Sequence, residues 1–147
     1  MGQKVNPHLF RLGNLFTWNS RWFSDSKRYK HLLLEDVLLR KALGKKLRNA
    51  GLSRVEIERS INHIDIIVFV TRPGVVIGRG GTGLEELKKY ITSFLKKSGK
   101  QDALKIELKV EPVKEPNLDA NIVANTIAEQ IVKRLPHKRV ANQAIER

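Results

Sequence analysis

Val75-Val76-Ile77-Gly78-Arg79-Gly80-Gly81-Thr82-Gly83-Leu84-Glu85-Glu86-Leu87 decides how this 147-residue chain is read. An apolar run enters a loop with four glycines in six residues and leaves it as an amphipathic helix. Glycine has no Cβ, so such a loop can take positive φ and bring its backbone close to a ligand. Amides at a helix N-terminus are unsatisfied donors in a positive field, which suits a phosphate. The glycines admit two spellings. Gly78, Gly80 and Gly83 write G-x-G-x-x-G, a dinucleotide pattern, while Gly78-Arg79-Gly80-Gly81 writes G-x-x-G, a nucleic-acid clamp.

The flanks distinguish the two. Downstream, Leu84, Leu87, Ile91 and Leu95 share one helical face; Glu85 and Glu86 lie in the first turn, Lys96 and Lys97 in the last, and Ser98-Gly99 ends the helix. Residues 104–110 alternate strictly and predict a strand. Upstream, Pro73-Gly74 breaks an apolar, β-branched strand at 64–70, which predicts a buried central strand. Before it, Val55, Ile57 and Arg59 alternate with Arg54, Glu56 and Glu58 in a half-exposed strand, joined through Ser60–His63 as an antiparallel hairpin. A strand–helix–strand crossover makes 64–70 and 104–110 parallel. Ser24 or Asp25 caps a helical segment to about Leu33, and a second follows from Leu34 to Asn49. Its buried stripe is expected to be Leu34, Val37, Leu38, Ala42 and Leu47, with Arg40, Lys41, Lys45, Lys46 and Arg48 outside and Gly51 ending it. A last helix starts near Asn117 or Asp119, turns Ile122, Val123, Ile127 and Ile131 inward, and stops before Pro136.

A dinucleotide fold places its first glycine almost directly after a strand and completes a parallel sheet. Here seven residues, Thr71 to Ile77, intervene, and one strong strand follows. Glu111, the candidate ribose-binding acid, lies 28 residues past Gly83, where ~20 past the motif is expected. No Gly-Lys-Ser/Thr follows the loop, which excludes a P-loop. The order strand, short helix (Pro73–Ile77), G-x-x-G, helix, strand instead matches the minimal KH unit, and the extra helix and strand before it, at 34–49 and 54–59, resemble the type II arrangement. The predicted fold is therefore α+β: a type II KH domain, a three-stranded mixed sheet with helices packed mainly on one face, preceded by an extended basic arm. The expected division is an arm at 1–23, the KH domain with flanking helices at 24–134 and a basic segment at 135–147. In that fold Gly78–Gly81 would pack against phosphates and sugars, Arg79 would add a charge contact, and Val76, Ile77 and Leu84 would wall a groove for bases.

The formal charge is +13, and its distribution says more than its size. Residues 1–50 carry eleven basic and three acidic groups, residues 51–132 twelve and eleven, and residues 133–147 five and one. A nearly neutral body with basic ends is the pattern of a module whose flanks meet a polyanion, nucleic acid before membrane. No apolar run approaches the ~20 residues of a membrane span, and the N-terminus does not read as a signal peptide. There is no cysteine, so neither a disulfide frame nor a thiolate zinc site is expected. Residues 1–23 show neither period and read as an extended arm. Its Phe10, Leu12, Phe16, Trp18 and Trp22 either pin it to the core or, with the interleaved arginines, lie against RNA or a neighbouring protein.

The chain also resembles the bacterial-type family of small-subunit ribosomal protein three. Met1-Gly2-Gln3-Lys4-Val5-Asn6-Pro7 with Arg11-Leu12-Gly13 is similar to that family's opening. Trp18-Asn19-Ser20-Arg21-Trp22-Phe23, Arg72-Pro73-Gly74-Val75-Val76-Ile77-Gly78-Arg79-Gly80-Gly81 and Pro116-Asn117-Leu118-Asp119-Ala120 follow in collinear order. The resemblance implies a cytoplasmic ribosome, or that of an organelle. It also implies a place in the small-subunit head, binding to small-subunit rRNA, and a share in lining the tunnel through which mRNA enters. The implied neighbours are the S-ten and S-fourteen proteins and, in some members, S-two. Basic side chains after the long helix are linked to mRNA unwinding; Lys138 and Arg139 match them, and Asn142 stands where a third basic residue is usual. The family adds a second α+β domain of about half the chain, beginning where this sequence stops.

The RNA-contacting candidates are thus Arg72, Ile77, Gly78, Arg79, Gly80 and Gly81 at the loop, Lys4, Arg11 and Arg21 in the arm, and Lys138 and Arg139 near the end. His8, His31, His63 and His137 lack metal-ligand spacing, and Glu56 and Glu58 read as solvated or lysine-paired. Without a nucleophile–base pair, no catalysis, cofactor or metal is expected. The alternative function is a free-standing KH regulator or ribosome assembly factor that binds single-stranded RNA.

Overall fold

The computed structural model describes residues 2–97 and 105–146. Their elements run α1 (Pro7–Phe10), β1 (Ser20–Arg21), α2 (Ser26–Lys46), β2 (Leu52–Arg59), β3 (His63–Val70), α3 (Pro73–Ile77), α4 (Thr82–Lys97), β4 (Lys105–Pro112), α5 (Ala120–Val132) and α6 (His137–Ile145). Leu104 and the Ser98-Gly99 helix stop lie outside the described residues.

The strands form one sheet in the order β1-β2-β3-β4. β2 and β3 are antiparallel, with Val55 opposite Val68 and Ile57 opposite Ile66. β3 and β4 are parallel, with Ile64 beside Ile106 and Ile66 beside Leu108, as the crossover requires. Alternate residues point to opposite faces. Ile64, Ile66, Val68 and Val70 therefore share a face with Val55, Ile57 and Ile106, and all are buried. Leu39 and Leu43 of α2, Val76 of α3, and Leu87, Ile91 and Leu95 of α4 complete this core. Glu56, Asp65, Ile67, Phe69 and Glu107 lie on the other face, where Arg54 sits 3.9 Å over the Phe69 ring.

The expected three-stranded sheet has a fourth strand. Ser20 and Arg21 pair in parallel with Ile57 and Glu58, so the arm is not simply extended, and α1 gives it a helical turn as well. Two residues are too few for a period of two to show. The pairing is held from outside: Ile57 N donates to Asn19 O at 2.9 Å, and Arg40 Nη2 donates to Asn19 O at 2.9 Å and Ser20 Oγ at 2.6 Å. Arg40 is thus half-buried in the fold and is not an outward charge.

α2 is a single helix with no break at Leu33–Leu34, and its buried stripe is not the expected one. Leu34 and Leu38 are 50% and 51% exposed, whereas Glu35, Asp36, Leu39 and Leu43 are buried, with Leu47 in the turn that follows. Residues 32–39 are apolar on nearly every side, so periodicity alone selects no face. Arg59 selects it: from the core face of β2 its Nη1 donates to Glu35 at 3.0 Å and its Nε to Asp36 at 2.8 Å, drawing both acids inward. Gly51 ends this region at φ +68°, and a Cβ there would strike the Thr71 hydroxyl.

α5 starts after Asp119, whose side chain accepts from Asn121 N at 2.9 Å and Ile122 N at 3.2 Å. Ile122 is buried, but Ile131 is 47% exposed, contrary to expectation, because α5 is covered mainly by the shorter α6, through Val140. No helix among the described residues is long and apolar enough to cross a membrane.

Candidate nucleic-acid interface

Proline at its start and glycine at its end confine α3 to five residues. Gly78 closes it at φ 70°, ψ −179°, its N–H donating to Gly74 O at 2.9 Å. Arg79–Gly81 then forms one 3-10 turn in which Gly80 and Gly81 hold φ of 63° and 82°. Those values disfavour any residue with a Cβ by about 1–2 kcal/mol each. Thr82 Oγ1 donates to Arg79 O at 3.0 Å and fastens the turn to the start of α4. Gly83, the fourth glycine, has no positive φ; it lies inside α4 against the Val76 and Ile77 carbonyls, so it serves helix packing. The geometry thus follows the G-x-x-G spelling.

The tip is open. Arg79 and Gly80 are exposed, and a Cβ on Gly80 or Gly81 would meet nothing within 4 Å. Of the expected apolar wall, Val76 turns into the core, because a helix this short presents one side to the sheet. Val75 takes its place outside at 60% exposure, beside the exposed Ile77 and half-buried Leu84. Arg72, exposed at the other end of α3, donates its backbone N–H to Ala50 O at 3.1 Å, anchoring the approach to the loop.

Arg72 and Ile77–Gly81 thus share the segment of α3 and the turn after it, exposed except for the half-buried Gly81. The other candidates lie apart from it, with no hydrogen bond or ion pair to the loop among the described residues. Lys4 and Arg11 are exposed on the arm, Arg11 Nη1 donating to Pro7 O at 3.2 Å. Lys138 and Arg139 are exposed in the first turn of α6. Cations there face the positive pole of the helix dipole, an arrangement that folding alone does not favour. Arg21 differs: its Nη2 meets Glu56 at 3.2 Å and also Glu58, so two carboxylates of β2 hold its charge. Glu56 is buried, and among the described residues both acids pair with arginines and not with lysines, while Glu58 stays 40% exposed at its side chain.

The arm's aromatics divide as well. Trp22 is half-buried and its Nε1 donates to Asp36 at 2.8 Å. Phe10 and Phe23 are 80% and 92% exposed, and Phe16 and Trp18 are also exposed. A group missed by sequence reasoning is His63, Asp65 and Glu107, brought together on the sheet face away from the core. Its signal is the β3–β4 register, which the sequence does not print.

An edge-paired sheet, a short helix, a two-glycine turn at positive φ and a second helix define a KH domain. A model of the KH domain family matches residues 38–118, and the chain belongs to that family. It is similar to small ribosomal subunit protein uS3 of Acetivibrio thermocellus, with 44% identity over 98 residues, 67% of this chain and 43% of that protein. It is also similar to uS3 of Clostridioides difficile, with 52% identity over 99 residues, 67% of this chain and 36% of that protein. The uS3 of Chloroflexus aurantiacus is 46% identical over 107 residues, 73% of this chain and 43% of that protein. The chain spans less than half the length of these relatives.

Proposed function

We propose that this chain is the KH-containing part of a small-subunit ribosomal protein that binds RNA as a structural component of the ribosome. The observation that carries the reading is the open Gly78–Gly81 turn, with Arg79 at its tip and Val75 and Ile77 exposed beside it. In this reading backbone N–H groups and Arg79 meet phosphates, and the apolar flank receives bases. The arm (1–23) and the basic segment (135–147) flank a KH unit at 24–134. Lys4, Arg11, Lys138 and Arg139 supply charge to rRNA of the subunit head, while Arg21 serves the sheet. Similarity to uS3 supports the ribosomal setting, and the further roles follow from it: contact with mRNA near its point of entry, and S-ten and S-fourteen as neighbours.

Filter binding of single-stranded RNA across a salt series tests the loop. Arg79→Asp with Gly80→Asp is expected to abolish binding while leaving the fold intact by circular dichroism. Unchanged affinity would mean that the loop is not the clamp. Co-sedimentation with small ribosomal subunits tests the setting; RNA binding without co-sedimentation would favour a free-standing KH regulator.

A further inference from the structure

We infer that His63, Asp65 and Glu107 form a binding site for a divalent transition metal ion of the zinc class. The backbone places the three donors. His63 and Asp65 are two apart on β3 and so point to the same face. Parallel register puts Glu107 of β4 directly beside Asp65. One ligand atom from each comes within 4.8 Å of the others. An i, i+2 pair on one strand with a neighbour across the ladder gives three convergent ligands on a rigid scaffold.

The local chemistry calls for a cation between them. His63 Nε2 lies 2.7 Å from Asp65 Oδ1 and 4.0 Å from Glu107 Oε2. Yet Asp65 Oδ1 is shielded from solvent and accepts no hydrogen bond from any described residue, so a shared ion would satisfy it. Two ligands of one tetrahedral ion at about 2.0–2.2 Å lie about 3.3–3.6 Å apart, so an ion between Nε2 and Oδ1 would draw them slightly apart. Neighbouring charges leave the triad its negative balance. Glu58, on the other side of Asp65, is paired with Arg21, and Lys105 Nζ approaches Oε1 of Glu107 at 3.4 Å, while Oε2 lies toward His63. An imidazole with two carboxylates suits zinc or cobalt better than magnesium, which prefers an all-oxygen shell. All three residues are half-buried and no fourth ligand residue joins them among the described residues, so the remaining coordination positions open to water. This site is independent of the RNA-binding reading.

The test uses the whole chain, first stripped with chelator. Titrated Co²⁺ is expected to produce visible d–d absorption that Zn²⁺ displaces, and Zn²⁺ is expected to raise the melting temperature. The double variant His63→Gln, Glu107→Gln should lose affinity by more than about tenfold, whereas His31→Gln, on exposed α2 surface, should bind as the parent does. The parent spectrum is decisive even if the double variant folds poorly. Absence of Co²⁺ bands in the parent, or bands that persist in the double variant or vanish in His31→Gln, would overturn the assignment.

Discussion

Arg59 settles more of this fold than any one leucine does. Its side chain is only 5% exposed and is held against Glu35 and Asp36, which are equally enclosed. Removing one partner of such a group leaves buried charge uncompensated, whereas the intact set contributes little net stability. Arg59→Met should therefore destabilise by about 3–5 kcal/mol, read as a lowered denaturant midpoint at unchanged m-value. A loss below 1 kcal/mol would mean that the acids find water or other donors. Arg134 offers the opposite case. It is the one non-glycine residue at positive φ among those described, +61°, where α5 ends and Leu135 N donates to Gln130 O at 3.2 Å. It is exposed, and its side chain makes no hydrogen bond or ion pair among the described residues. Arg134→Gly should stabilise by up to about 1 kcal/mol, raising the melting temperature; a fall would show that the guanidinium makes a contact worth more than the strain.

At the level of elements, the arm is two things joined. Residues up to Trp18 expose their aromatics, whereas Ser20 to Trp22 belong to the domain: β1 extends the sheet, and Ser20 Oγ at 3.3 Å and Trp22 Nε1 at 2.8 Å both donate to Asp36. Deleting residues 1–17 should leave stability nearly unchanged, while deleting 1–23 should cost about 2–4 kcal/mol, since Asp36 would lose two donors while remaining buried. Equal stability of the two truncations would make β1 a passive edge. This boundary could not be read in the sequence, because Trp22 looks like Trp18 until Asp36 is known to face it. What could be read was whatever carried its own period or punctuation. The glycine turn, the Leu87–Ile91–Leu95 face, the central place of the apolar β3 and the alternation of β4 all fell where expected, although β3 buries only alternate residues. The α2 stripe did not, because a helix apolar on most sides takes its orientation from a strand it meets only on folding. The His63–Asp65–Glu107 cluster was hidden for the same reason: His63 and Glu107 are distant in sequence and adjacent only through strand register.

Over the whole molecule, the charge pattern and the loop make separable demands on RNA binding. The body is nearly neutral, and some of the chain's arginines engage the fold: Arg54 and Arg59 of the body, and Arg21 and Arg40 of the first fifty residues. The ends carry most of the excess positive charge, while the body also exposes cations, among them Arg72 and Arg79 at the loop and Lys88, Lys89, Lys109 and Lys114 elsewhere. Counterion release makes each phosphate contact visible as a salt slope of about −0.7 per charge for single strands. Replacing Lys4, Arg11, Lys138 and Arg139 together by glutamine should flatten that slope by up to about 2.8, without altering the loop. Gly80→Ala changes no charge and meets no neighbour, but it forces a Cβ into the left-handed region at a cost of about 1–2 kcal/mol. It should weaken binding about five- to thirtyfold, by 1.4 kcal/mol per decade, at unchanged slope. If the quadruple variant kept the parent slope, those four side chains would not touch phosphate and other exposed cations would carry the electrostatic contact. If Gly80→Ala instead flattened the slope, the turn would serve to position Arg79 more than to admit the backbone.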